Sequence, residues 1–335
     1  MRTGSLCHPT PHPQPRLSTL PKAEAMARPP KSDAAAARFA FAVLVFAAVL
    51  ISFSGIFVKL SELGPTTTGV YRMGLSLPVF GIWMWNDLRR IAAAGARPAP
   101  LIPADRKALL YVVLAGLALG SDLVAWHWCL HMTTVAAATM MGNTAPIWVT
   151  LIGFLFFRER FAPAFLIGMT VAMGGVWLLL TGNGKPLEIN DGIIFALGMV
   201  TAITYAGYLR GSKEARRALT TAQVMFWGSL AATLLLIPIA LLTERQFLPD
   251  DLRGWAVVIG LSMLSQVLGQ TLINWALAHL PAAFSSVTLL INPVSSAFFA
   301  WILLDEALAP LQILGGGIVL AGIWWSKPRN LAAAE

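Results

Sequence analysis

Two ionisable residues stand inside long apolar runs: Arg72 in TTTGVYRMGLSLPVF and Asp122 in LALGSDLVAW. A charge in such surroundings is costly enough that it marks a site and asks for a partner. Counted from the ends of their runs, Asp122 lies about 12 Å deep and Arg72 about 9 Å, at 1.5 Å per helical residue. At similar depth the two can pair. Three chemistries stay open: an ion pair tying two helices together, a proton relay, or a receptor for a charged group of a solute.

Neutral polar residues recur at helical spacing in three other apolar runs. Ser262, Gln266, Gln270 and Asn274 step by four; Ser285, Thr288, Asn292 and Ser295 step by three and four; Thr201, Thr204, Tyr205 and Tyr208 do likewise. Thr139, Asn143 and Pro146 form a comparable stripe. A single Ser or Thr in a buried helix most simply bonds to its own preceding turn. The amides of Gln270, Asn274 and Asn292 need several partners and point to a wet cavity or an interhelical network. Pro146 and Pro293 each remove a backbone hydrogen bond and are expected to bend their helices, as pivots or as packing kinks.

Other motifs carry less. His127 and His131 are four apart with Cys129 between them, as metal ligands often are, but no Glu follows His127 and no second cluster exists. A divalent-metal carrier using Asp122, His127 and His131 stands as an alternative reading. Gly182 to Lys185 runs into Pro186 and lacks the earlier glycine of a phosphate loop, so nothing supports an ATP-driven pump. An intramembrane aspartyl protease needs two buried acids where only Asp122 qualifies, and no Gly-x-Ser-x-Gly elbow is present. No enzyme and no cofactor is expected.

The elements that position these residues follow from composition. Of 335 residues, 57% are hydrophobic and 12% charged, and the mean hydropathy is +0.69; an average soluble protein carries roughly 25% charge. Such a chain needs a solvent that accepts apolar surface on every side, which is a bilayer. Ten apolar stretches, at 39–60, 66–86, 108–130, 133–155, 163–181, 191–210, 220–242, 254–277, 283–304 and 310–326, approach the roughly 20 residues that span one. Without the alternation of barrel strands, each reads as a helix.

Residues 1–38 hold seven prolines and six Lys or Arg with no signal-peptide core, and read as a disordered basic tail; Met26 is an alternative start. With that tail cytoplasmic, alternate loops divide Lys and Arg 19 to 4, with Arg72 inside a span. Both termini, including the short tail 327–335, are therefore expected in the cytoplasm, with the protein in the plasma (inner) membrane. The basic loops lack interleaved aromatics, so they set topology and attract anionic lipid, not nucleic acid.

Shifted by 147 residues, the chain matches itself without gaps over 64 positions, Leu114/Leu261 to Trp177/Trp324, with twelve identities. They include the rare types Trp, Pro and Glu at Trp128/Trp275, Pro146/Pro293, Glu159/Glu306, Pro163/Pro310 and Trp177/Trp324, along with Gly168/Gly315 and Gly175/Gly322. Such self-similarity is the signature of duplication. Five helices per half is an odd number, so the second half (183–326) enters the membrane opposite to the first (39–182). Inverted repeats are a transporter architecture.

The stretches WHWCLHMTTVAAATMMGNTAPIWVTLIGFLFFRERFAPAFLIGMTVAMGGVW and INWALAHLPAAFSSVTLLINPVSSAFFAWILLDEALAPLQILGGGIVLAGIWW resemble the two EamA halves of the drug/metabolite transporter superfamily. Each has a small-residue helix leading to a proline-centred segment, a Glu at a helix end and a glycine-containing next helix: Pro146, Glu159, Gly168 and Pro293, Glu306, Gly315. The resemblance implies ten helices and secondary transport of small metabolites, often export of amino acids or related compounds. It also implies a cavity lined from helices 1, 3, 4, 6, 8 and 9, in which Trp126, Asn143, Tyr205, Gln270, Asn274 and Asn292 are the expected lining. Glu159 and Glu306, at helix ends near the two membrane faces, are expected to bond to backbone or to a neighbouring helix, as gate elements, and not to meet substrate. The resemblance lends nothing to Asp122, whose repeat mate is Gly269. The expectation is thus an all-α integral membrane protein of two inverted five-helix repeats that moves a small organic solute. Proton coupling and a homodimer stay open, as does a non-transporting structural role.

Overall fold

The computed structural model describes residues 31–93, 101–133, 135–182, 184, 192–304 and 308–328. Among them there are helices and no strands: α1 (Lys31–Ser52), α2 (Ser54–Leu60), α3 (Pro65–Gly74), α4 (Ser76–Ala93), α5 (Arg106–Met132), α6 (Val135–Gly142), α7 (Ala145–Phe157), α8 (Pro163–Thr181), α9 (Gly192–Ala215), α10 (Thr221–Thr243), α11 (Leu252–Gly260), a π-helical segment (Leu261–Gln270), α12 (Thr271–Leu277), α13 (Ala282–Thr288), α14 (Ile291–Leu304) and α15 (Pro310–Trp325). In lipid the backbone must satisfy itself, which is why apolar sequence here becomes helix everywhere. The ends are fixed locally. Asp105 accepts from the Lys107 and Ala108 amides at 2.9 and 3.2 Å, Thr220 and Gln223 form a capping box, and Pro65, Pro163 and Pro310 occupy first turns, where no N–H is missed.

Eight helical stretches are long and apolar enough to cross a membrane, beginning with Ala35–Leu60 and ending with Ala282–Phe299. α15 is apolar but shorter at 16 residues. The expected span 66–86 is two helices, broken by a turn at Leu75, with Arg72 in the first; the second runs past residue 86 through Asp87, Arg89 and Arg90. Residues 31–38, expected as part of a disordered tail, are the first turns of α1, in keeping with the helix-forming run Ala34–Ala37. Residues 1–30 and 329–335, along with Arg97, Lys185 and Glu306, lie outside the described residues.

Both proline segments break, where bends were expected. α6 stops at Gly142 and α7 restarts at Ala145; α13 stops at Thr288 and α14 restarts at Ile291. Pro146 and Pro293 fall in the first turns of the restarting helices. They occupy the position where a missing N–H costs least, so the interruption precedes them.

α8 and α15 pack antiparallel through glycines. A β-carbon on Gly168 would lie 2.5 Å from the Ser326 amide and one on Gly175 2.6 Å from the Val319 amide; those on Gly315 and Gly322 would run into the Leu179 and Ala172 backbones. The contact repeats under the 147-residue shift, since Gly168 against Gly322 becomes Gly315 against Gly175. Gly317, on the same helix, has nothing within 4 Å of its would-be β-carbon among the described residues.

α5 and α9 also run antiparallel, with Gly207 and Gly211 on Ala118 and Ala115, and Cys129 near Ile194. Lysines secure opposite ends of this pair. Lys59 donates to the Leu130 carbonyl at 2.7 Å, at the C-terminal end of α5. Lys213 donates to the Leu277 and Leu280 carbonyls at 2.7 and 2.6 Å, beside the N-terminal end of α5. Leu130 and Leu277 are repeat mates.

Candidate functional site

Polar groups gather between α3, α5, α9, α10, α12 and the π-helical segment. Tyr208 on α9 is their centre. Its hydroxyl donates to Gln270 Oε1 at 3.0 Å and accepts from Asn274 Nδ2. Asn274 Nδ2 also approaches the Gln270 carbonyl at 3.0 Å and Met225 Sδ at 3.2 Å. Gln266 Nε2 donates to Ser229 Oγ at 3.3 Å on α10. Tyr205 stands beside Tyr208, ring centroids 5.7 Å apart. Ser262, Ser265, Gln266, Gly269 and Gln270 are all buried, at the i, i+3, i+4, i+7, i+8 spacing of one helix face. The segment that carries them, residues 261–270, is wound as a π-helix, and such segments are frequent at functional sites.

The network is incomplete. Asn274 Oδ1, Gln266 Oε1 and Ser265 Oγ are buried without a hydrogen-bond partner, although a buried polar atom left unmade costs about 1–3 kcal/mol. A narrow crevice runs beside them, lined by Ser229, Gln266, Asn274, Tyr208 and Ser212 against Leu119. These open acceptors can take N–H or O–H donors from a solute or from water.

Arg72 and Asp122 border the same region. Arg72 is 3% exposed and Asp122 8%. Arg72 Nη1 donates to Ser54 Oγ at 2.9 Å, its backbone carbonyl accepts from Ser262 Oγ at 3.0 Å, and its Nε has no partner. Arg72, Asp122, Tyr205 and Tyr208 lie within electrostatic reach of one another. Even so, the ion pairs within 4.0 Å among the described residues are Arg210 with Glu159 and Arg217 with Glu214, not Arg72 with Asp122.

The other expected residues lie apart from this network. Trp126 packs with Val58, Leu197 and Met199 around Cys129 and Leu130. Asn143 sits at the break between α6 and α7 with its Nδ2 buried and unpartnered. Asn292 accepts from Ser296 at 3.3 Å within α14. Ser285 and Thr288 bond back to Pro281 and Phe284 within their own turns. Glu159 holds Arg210 through both oxygens, at 3.0 and 3.1 Å, tying the α7–α8 loop to α9. His127 Nδ1 meets the Pro65 carbonyl at 2.7 Å, so that nitrogen carries the proton, and Nε2 is buried without a partner. His131 is exposed, and no group of three His, Cys, Asp or Glu side chains gathers among the described residues.

Glu244 was not anticipated. Its carboxylate accepts from the Thr66 and Thr67 amides at 2.6 and 2.8 Å and so caps α3, the helix that carries Arg72. Ser54 and Ser229 were missed as well. Each is one hydroxyl in an apolar run, and only its neighbour on another helix gives it meaning.

An all-helical chain with eight membrane-length apolar stretches and a polar network among them is a multi-pass membrane protein. The model of the EamA-like transporter family matches residues 38–181 and again 192–326, so the chain belongs to that family. Among curated relatives, an uncharacterized transporter of Archaeoglobus fulgidus is 26% identical over 85% of this chain and 95% of its own length. The pseudopaline exporter CntI of Pseudomonas aeruginosa is 25% identical over 68% and 78%. The threonine/homoserine exporter RhtA of Escherichia coli is 26% identical over 63% and 69%. One solved crystal structure matches the fold with a TM-score of 0.71 at 14% identity, over 90% of this chain and 99% of the other.

Proposed function

We propose that this chain is a secondary transporter that exports a small organic metabolite, an amino acid or related compound, by alternating access between two inverted five-helix halves, 39–182 and 183–326. It sits in the plasma membrane with both termini cytoplasmic and performs no catalysis. One observation carries the reading: the lysine anchors occur twice, at opposite ends of the bundle, on repeat-mate carbonyls. Lys59 with Leu130 closes one end, and Lys213 with Leu277 closes the other. The family matches begin at 38 and 192, 154 residues apart, and Lys59 and Lys213 differ by the same 154. Two halves with equivalent closures at opposite faces are what alternating access needs. The antiparallel, self-mapping glycine contact of α8 and α15 and the paired breaks before Pro146 and Pro293 support the same arrangement.

In this reading Tyr205, Gln270 and Asn274 line the central site, while Trp126, Asn143 and Asn292 line its approaches. Pro146 and Pro293 are pivots, and Glu159 with its mate Glu306 stabilises the closed ends. The exporters among the relatives support the direction and the solute class. The test is efflux of radiolabelled amino acids and related metabolites from proteoliposomes, with and without a pH gradient. Loss of all organic solute flux, together with zinc flux abolished by His127→Ala, would replace this reading with a metal carrier.

A further inference from the structure

We infer that Arg72 and Asp122 are the two ends of a zwitterion receptor, Arg72 for a carboxylate and Asp122 for an ammonium. The solute then carries both charges, as an α-amino acid or a compound built on one does. The inference rests on the export reading and narrows it.

Both side chains are more than nine-tenths buried, on neighbouring helices α3 and α5. Opposite charges taken out of water cost several kcal/mol each unless they are paired, and the simplest remedy is a direct ion pair. The protein does not make it: the two groups feel each other's charge but do not approach within 4.0 Å. Neither is neutralised by another neighbour. Arg72 makes one side-chain hydrogen bond, to the neutral hydroxyl of Ser54, and its Nε is left without a partner. Asp122 accepts no hydrogen bond among the described residues, and the groups within its electrostatic reach besides Arg72 are the neutral phenols of Tyr205 and Tyr208.

The solute's own charges decide which ligand suits two such groups. A carboxylate alone would satisfy the guanidinium fork, which binds carboxylates through two parallel N–H donors, and would leave Asp122 unmatched beside a second negative group. An amine alone would do the reverse to Arg72. A zwitterion matches both at once and adds no net charge to the interior. The adjoining acceptors Gln266 Oε1 and Asn274 Oδ1, both without a partner, are then open to N–H or O–H donors on the remainder of the molecule.

The experiment uses the full chain in proteoliposomes loaded with a radiolabelled mixture of the protein amino acids. Three unlabelled competitors are added inside: the free amino acids, their N-acetyl derivatives, which keep only the carboxylate, and their methyl esters, which keep only the ammonium. The free mixture is expected to slow efflux of label at concentrations about tenfold lower than either capped mixture. With labelled capped solutes, Arg72→Gln should lose free amino acids yet move methyl esters, and Asp122→Asn should lose free amino acids yet move N-acetyl derivatives. That crossover is a change that misfolding does not produce, and the wild-type competition stands even if a variant fails to fold. Equal competition by free and capped compounds overturns the inference and leaves the export reading intact. If no solute leaves, whether charged at both ends or at one, the export reading falls and takes the receptor with it.

Discussion

Lys59 Nζ donates to the carbonyl oxygen of Leu130 across 2.7 Å, which joins the C-terminal ends of α2 and α5. A hydrogen bond from a charged donor contributes roughly 1.5–3 kcal/mol, enough to shift an opening equilibrium by about tenfold or more. Cys129, one residue from Leu130, is buried at the same end. In a Cys7→Ser background, Lys59→Met is expected to raise the rate at which a maleimide labels Cys129 by about tenfold. Lys213→Met loosens the opposite end and should leave that rate unchanged or lower it. Equal acceleration by both variants would mean that the lysines stabilise the fold and do not gate its ends.

Tyr208→Phe removes the hydroxyl that links Gln270 Oε1 to Asn274 Nδ2. Two amides then lose a buried partner while packing stays the same, at a cost of about 1–3 kcal/mol. The expected outcome is a lowered melting temperature in detergent. Tyr205→Phe, whose hydroxyl meets Gln270 but does not bridge to Asn274, should shift it less.

Side chains that announce themselves by type were legible in the sequence. Arg72 and Asp122 stood out as charges in apolar runs, and Gln270, Asn274 and Tyr205 as polar groups at helical spacing; the structure gathers them in one region. What stayed hidden involves the main chain. Leu130 and Leu277 act through their carbonyls, and Glu244 through two amide N–H groups of α3, so no residue type marks the acceptor or donor. The kinship of Lys59 with Lys213 was hidden for a different reason. It appears at a spacing of 154, whereas the ungapped match runs at 147, because the first helices of the halves are offset by seven residues from the rest. The π-helical winding of Leu261–Gln270 has no side-chain signature at all.

Gly315 on α15 has no room for a side chain, since its β-carbon would run into the backbone of Leu179 on α8. Gly315→Ala must push two helices apart, and overpacking of this kind costs typically about 1–3 kcal/mol. Gly317, two residues on, has nothing within 4 Å. Thermal denaturation should show a clear loss for Gly315→Ala and little change for Gly317→Ala.

Glu244 caps α3 from the C-terminal end of α10, accepting from Thr66 and Thr67 at 2.6 and 2.8 Å. Removing such a cap costs about 0.5–2 kcal/mol, more where the anion also meets the helix dipole. Glu244→Ala should lower thermal stability by that amount and speed hydrogen exchange in the first turn of α3. Glu244→Gln keeps one acceptor and should recover part of the loss. Identical effects of the two variants would show that the carboxylate contributes nothing specific.

Arg72 and Asp122 also differ in what their removal should do together. A buried pair in direct contact leaves a stranded charge when one partner is removed, and the loss of 3–5 kcal/mol is repaired by removing the other. Here the two are not within 4.0 Å, and Arg72 already lacks a partner at its Nε. The coupling energy from a double-mutant cycle of Arg72→Met and Asp122→Asn, measured by thermal stability, is therefore expected to stay below about 1 kcal/mol. A larger coupling, with the double variant more stable than either single one, would show that the two charges form a structural tie in solution. In that case transport by the double variant should persist, whereas a receptor that has lost both ends should move free amino acids at about a tenth of the wild-type rate or less.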